Sequence, residues 1–585
     1  MTRLRKLVVA SVASSALLLA ACGGGGDTGS TGSGVQGYMS AKGGYALYTG
    51  TPKKGGTVTI FSAVDFAHLD PALGTGGDVT NMMSLIYRQL TGYKYDYKTQ
   101  KQTLVGDLAT SAGTSSKGAT VWTYHLKSGI AFQDGTPITA QDVKFGIERA
   151  MDPQFSGSSD YMKQYLKGAS KYQGYFKDPK GLDSIKIIND TTIEFDLNQP
   201  VAGFGYILAQ PSTTPFPVGK VSTSTQIDKS PIASGPYEIK SFVHSQKLVM
   251  VRNPHWNAKT DPIRPAYPDS FEFVLNLDQN TIDQRLLAGQ GKDVDALASS
   301  TNPILPSVIP QLNQNPQLKA RTVHDLAACT WFLSLKMTAK PLNNLKVRQA
   351  INYAVDKTSV VNATGGPDFA TVADDMELPN TPGRTDFNLY PTPGHNGDPA
   401  KAKQLLAEAG YPNGGITLTM DVRGIPQWQA QAEAVQASLA KAGIKVKLNV
   451  IDAANFYQVI ATPSQQHDMT ISGWCATGWN SGLPLLRQHF DGDTITSTGN
   501  ANYSMLNDPK INAALESAQK LTDESAQDKA FGEANELIMK DAPLVPLLRE
   551  TPLQMVGSNV GGAFAHENTT GYIGYEDLGL IDPGK

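Results

Sequence analysis

A mixed α/β fold behind a cleavable N-terminal segment is what this sequence predicts, and three observations carry the prediction. Short runs of alternating apolar and polar residues, such as Thr192-Ile193-Glu194-Phe195-Asp196-Leu197, have the two-residue period of strands half buried in a sheet. Between them stand capped amphipathic segments with the longer period of helices. The stretch from Gln427 to Ala442, closed by Gly443 and followed at once by Ile444-Lys445-Val446-Lys447-Leu448-Asn449-Val450, joins the two in the order that builds a sheet covered by helices.

The chain opens on Arg3, Arg5 and Lys6, followed by an apolar stretch of 15 residues from Leu7 to Ala21. That stretch is shorter than the roughly 17 to 25 residues of a membrane-spanning helix, so residues 1–21 read as a secretion signal to be removed. The run Leu19-Ala20-Ala21-Cys22 resembles a bacterial lipobox. The resemblance implies diacylglycerol on the Cys22 thiol, with the rest of the chain outside the cytoplasm and tied to the membrane face. Two or more acyl chains at ~0.8 kcal/mol per buried methylene make a firm anchor. A plain secretory signal with an unmodified cysteine is the other reading. Residues 22–55, rich in Gly, Ser and Thr, are expected to form a flexible tether.

The remaining elements follow in chain order. Gly56-Thr57-Val58-Thr59-Ile60-Phe61 is a strand. Asp134-Gly135-Thr136-Pro137 is turn chemistry, and Thr139 to Asp142 opens a helix whose dipole favours the Asp142 carboxylate in its first turn. Ser184-Ile185-Lys186-Ile187-Ile188 is a further strand. Asn343-Asn344 caps the helix that carries Arg348, and Asp356 and Lys357 are expected as its solvated end. Asp398-Pro399, then Ala400 to Ala409, then Gly410, reads as N-cap, first-turn proline, amphipathic helix and C-terminal glycine.

Composition excludes several functions. A formal charge of −3 with both signs interspersed gives no basic stripe for nucleic acid. The chain has no Gly-x-Ser-x-Gly elbow, no His-Glu-x-x-His helix and no phosphate-binding glycine loop, and its nine histidines lack ligand spacing. No enzymatic activity, no metal and no cofactor are therefore expected. With Cys22 acylated, Cys329 and Cys475 remain, and in an oxidising space they are expected to form a disulfide; two separate buried thiols are the other reading.

The run WTYHLKSGIAFQDGTPITAQDVKFGIERAMDP from Trp122 to Pro153 resembles the signature of the extracytoplasmic solute-binding proteins of the peptide/oligopeptide class, the receptors that feed ABC importers. Further blocks fall in that family's order: Leu69-Asp70-Pro71, Ser234-Gly235-Pro236-Tyr237, Val251 to Trp256, Pro341 to Asp356, Asp468 to Cys475, and Ala542 to Pro546. The resemblance implies a two-lobed, hinged periplasmic-binding-protein fold with an extra subdomain. Its parts are lobe I in residues 56–78, 225–328 and 545–585, the extra subdomain in 79–224, and lobe II in 329–544. It implies a monomeric, lipid-anchored receptor that captures a peptide-like or other polar oligomeric solute between the lobes and passes it to a membrane permease and its ATPase. A surface hydrolase and a sensor uncoupled from transport are the alternatives.

The resemblance also places the ligand. Thr75, Gly76 and Gly77 come to the cleft, where glycines let backbone approach a ligand closely. Gly473, Trp474, Cys475, Ala476, Thr477, Trp479 and Asn480 supply a backbone edge for an added strand and aromatic walls, with Phe332 nearby and Tyr161 or Tyr165 closing from the opposite lobe. At one point the sequence departs from the family. Peptide receptors carry an aspartate soon after Gly-Trp-Cys-Ala, which binds the ligand's α-amino group, and here Thr477-Gly478 stands instead. A hydroxyl does not replace that ion pair, so amine recognition passes to Asp468 or Asp491, or the ligand is blocked or neutral.

Overall fold

Two sheets of different make carry the two lobes. The computed structural model describes residues 38–584 apart from 40–44, 75–76, 97, 100, 156–159, 325–328, 454, 477–478, 552 and 567–570. The signal segment, Cys22, Thr75, Gly76, Thr477 and Gly478 thus lie outside the described residues.

Lobe I is built on a five-stranded sheet in the order Tyr237–Val243, Lys247–Arg252, Ser270–Val274, Thr57–Phe61, Ala296–Ala298. Thr57–Phe61 runs parallel to both neighbours, and its alternation sends Val58 and Ile60 into a core with Phe271 and Phe273. Lobe II is built on a six-stranded sheet, Ala370–Val372, Leu544–Glu550, Cys329–Leu335, Met469–Cys475, Ile416–Arg423, Ile444–Ile451. The helix Pro426–Lys441 links its two parallel edge strands as the sequence implies, and Asp398 caps Pro399–Glu408 by accepting from the Lys401 N–H at 2.8 Å. The extra subdomain adds a four-stranded sheet of Thr114–Ser116, Val121–His125, Thr192–Asp196 and Ile185–Asn189.

Packing around the expected boundaries is continuous. Tyr45 is buried, Ala46–Tyr48 lies parallel to Thr322–His324, and the Lys53 N–H donates to the Leu580 carbonyl. The helix Gly77–Ile86 buries Met82, Met83, Leu85 and Ile86 in the core that Val58 and Ile60 share. Leu544–Glu550 pairs with Cys329–Leu335 in the six-stranded sheet.

The family motifs are joints of this scaffold. Asp70 of Leu69-Asp70-Pro71 takes both amino groups of Arg149, each at 2.7 Å, and both side chains are almost fully buried, which ties the extra subdomain to lobe I. Asn253 donates to the Gly235 carbonyl, and a Cβ on Gly235 would lie 2.7 Å from the Leu85 carbonyl, so that position admits only glycine. Arg348 holds the carbonyls of Asp541 and Leu342. One expectation fails: Asp356 and Lys357 are buried, Asp356 capping the next helix at Ser359 and Lys357 donating to the Ala373 carbonyl and to Asp374. Charge at a helix end reads as solvated only until a neighbouring strand supplies partners.

Candidate functional site

In the six-stranded sheet the strands Leu544–Glu550, Met469–Cys475, Ile416–Arg423 and Ile444–Ile451 run the same way, and their carboxyl ends form one edge. Ligands of open α/β sheets sit outside that edge. The chain crosses between lobes at the same place, twice. Thr322–His324 pairs antiparallel with Leu553–Met555 in lobe I, and Cys329–Leu335 pairs antiparallel with Leu544–Glu550 in lobe II. The two crossings are therefore flanked on each side by an antiparallel pair of the same two stretches.

Trp479 is the meeting point of the extra subdomain and lobe II. The Tyr206 ring stacks on it at 6.0 Å and 4°, and Tyr161 meets it edge-on at 5.7 Å. Gly203 completes the seat, since a Cβ there would stand 3.0 Å from the indole. Trp479 retains 5% exposure, and the partners that bury it belong largely to the other side of the cleft. Tyr165 stacks beneath Tyr161 and is itself buried in the core, so it supports Tyr161 rather than facing solvent.

Other expected residues fall as follows. Phe332 is buried edge-on to His489. Trp474 is half-buried opposite Thr330, and Gly473 lies against the Trp331 ring, where a Cβ would come within 2.6 Å. Ala476 is buried. Asn480 accepts from the Thr381 hydroxyl at 2.6 Å, and Ser481 donates to Asp528 at 3.2 Å. These bonds pin the chain after the Trp474 segment to the body of lobe II. Burial raises the Glu377 carboxyl to about 8, helped by Asp375, so a neutral acid backs this segment at pH 7. Gly77 opens its helix against the Tyr572 ring. Asp468 accepts from the Thr419 N–H at 2.7 Å, and the buried Asp491 pairs with Arg487 at 3.0 Å, so neither replaces the missing aspartate.

Cys329 and Cys475 face each other across neighbouring strands and form the expected disulfide. The bond closes a loop of sequence separation 146 at the cleft edge. Cys475→Ser is expected to cost about 2–4 kcal/mol of unfolding free energy. The check is a lower melting temperature than the parent's, with both thiols of the parent resisting alkylation until reduced.

Sequence reasoning missed a cluster on the disulfide's face of the sheet. Arg423, last in its strand, lies over the rings of Trp428 and Tyr457 at 5.3 and 5.2 Å. Trp331 packs edge-on to Trp428 at 4.8 Å. Arg423 has no ion-pair partner among the described residues; its Nε reaches only the Ala453 carbonyl, at 3.4 Å. A charged residue ending an alternating strand before Gly424-Ile425-Pro426 was the available signal. Among the described residues no group of three or more His, Cys, Asp or Glu stands ready for a metal, and no helix is long and apolar enough to cross a membrane.

Comparison with known proteins agrees with this architecture. The chain is 27% identical over 534 residues to the glutathione-binding protein GsiB of Escherichia coli (strain K12), covering 89% of this chain and 94% of that one. Its fold superposes with TM-score 0.87 and 28% identity on clavulanic acid biosynthesis oligopeptide binding protein 2, over 94% of this chain and 99% of the other. DppA from Helicobacter pylori, solved with the peptide STSA, matches with TM-score 0.67 and 25% identity, over 91% of this chain and 99% of its own. The model of the bacterial extracellular solute-binding proteins, family 5, matches residues 103–497, and with its two-lobed fold this chain belongs to that family.

Proposed function

We propose that the protein is the lipid-anchored receptor of an ABC importer, capturing a peptide-like solute between its lobes and handing it unaltered to a membrane permease. Acylation at Cys22 would hold it at the outer face of the membrane. The observation that carries the reading is the unpaired Arg423 guanidinium at the carboxyl edge of the lobe II sheet, stacked on aromatic rings beside the hinge. A fixed, always-charged fork in that position suits a carboxylate, such as the C-terminus of a peptide. The names of the relatives, which bind glutathione or oligopeptides, point the same way. Capture then works by differential affinity: contacts to both lobes favour the closed form, and no bond is broken.

Calorimetry with tri-alanine and its C-terminal amide checks the assignment. The free acid is expected to bind at least tenfold tighter than the amide, and Arg423→Met to erase that difference, because hydrogen bonds to charged groups are worth roughly 1.5–3 kcal/mol. Equal binding of the two forms to the parent protein would refute the carboxylate role.

A further inference from the structure

The family's amine-binding aspartate is missing here, and Asp468 and Asp491 are both committed elsewhere. Another carboxylate stands at the same sheet edge. We propose that Glu550 is the acceptor for a positively charged group of the solute, a primary ammonium or a guanidinium, in a subsite walled by Trp331 and Tyr457. The proposal rests on the cleft reading above and names the charge its ligand must carry.

Position is the first argument. Glu550 is the last residue of Leu544–Glu550, so it ends at the carboxyl edge where the chain leaves lobe II. The strand order places it two strands from Cys475, about 10 Å away at the usual strand spacing. The strand also turns it the right way. Its neighbour Arg549 donates to the Asp375 and Glu377 carbonyls on one face, so alternation puts Glu550 on the other, the face of Trp331 and the disulfide.

Its surroundings are the second argument. The half-buried Glu550 carboxyl lies beside the Trp331 indole N–H, a buried donor with no well-aligned acceptor. Tyr457, 41% exposed, opens this corner to solvent; burial raises its phenol, with Arg423 opposing and Glu550 adding, so both charges reach the same ring. Trp331, Trp428 and Tyr457 gather at this corner, and aromatic ring faces attract organic cations. What the corner lacks is the cation. Among the described residues none neutralises Glu550, while Arg423 stays over Trp428 and Tyr457. Burial, opposed by the neighbouring Trp331 N–H, pushes the carboxyl up to about 7, as for an acid desolvated without a counter-charge. An arriving ammonium would supply that charge and favour the ionised form.

The test uses tri-alanine and N-acetyl-tri-alanine against the parent protein and Glu550→Gln at pH 8, where the carboxyl is ionised. Glutamine keeps the size and an oxygen beside Trp331, and an unchanged melting temperature verifies folding. The parent is expected to prefer the free amine by roughly 10- to 100-fold, the Gln variant to bind both forms alike, and the acetylated peptide to bind the two proteins within about twofold. A Gln variant that keeps the preference overturns the proposal. If the parent binds neither peptide, the peptide reading fails on its own, and native mass spectrometry of both proteins after incubation with a cell extract decides the Glu550 role. A solute bearing an amine or guanidinium that the parent retains and Glu550→Gln loses upholds it. A neutral or purely anionic solute, equal retention, or none retained overturns it.

Discussion

Trp479→Ala is expected to weaken solute binding at least tenfold and to leave the protein more open in solution. The argument rests on where its partners lie. Tyr161, Gly203 and Tyr206 come from the extra subdomain and Trp479 from lobe II, so the lost contacts are largely ones that exist only when the two meet. Removing a buried tryptophan costs about 3–5 kcal/mol, and the two aromatic pairs add about 0.5–1.5 kcal/mol each. Much of that loss falls on the closed form, and apparent affinity drops with its population. Small-angle scattering of the liganded variant should give a larger radius of gyration than the liganded parent, and calorimetry a weaker Kd. An unchanged Kd and scattering curve would mean that closure does not depend on this contact.

Asp70→Asn is expected to destabilise lobe I by about 3–5 kcal/mol, because it leaves the Arg149 guanidinium charged and uncompensated in the interior. The guanidinium cannot retreat. It lies over the rings of Phe155 and Phe216 at 5.2 and 4.8 Å and donates to the Ser224 carbonyl at 2.7 Å. The check is the urea midpoint of the lobe I transition, followed by hydrogen exchange in Thr57–Phe61 and in the helix Ala140–Ala150. Arg149→Met in the Asp70→Asn background should recover part of the loss, since the double variant leaves no unmet charge in the interior. A midpoint unchanged by Asp70→Asn would show that this joint contributes nothing to stability.

These joints explain why the scaffold was legible in the sequence and part of the site was not. Caps and turns are local: Thr139 with Asp142, Asn344 and Asp398 each serve N–H groups within four residues, and the sequence displays both partners. Strand alternation is equally local and located Thr57–Phe61 and Thr192–Asp196 to within a residue or two. Tyr45 and Tyr48 are buried through partners far along the chain, which composition does not show. Leu544-Val545-Pro546 likewise gives no sign of the sheet it joins. Arg423 and Glu550 were invisible as a pair because 127 positions separate them, and only the strand order brings both to one edge. Flanking glycines point Trp479 to a cleft wall, and the structure packs it between Tyr161 and Tyr206, contacts that no local pattern displays.

The strand pairs on either side of the crossing have a mechanical consequence. Sliding one strand past the other would break the register of both pairs, so the pairing opposes shear between the lobes and leaves bending as the softer motion. A pair of fluorescent labels on the helices Gln279–Ala288 and Pro399–Glu408 would report that bending.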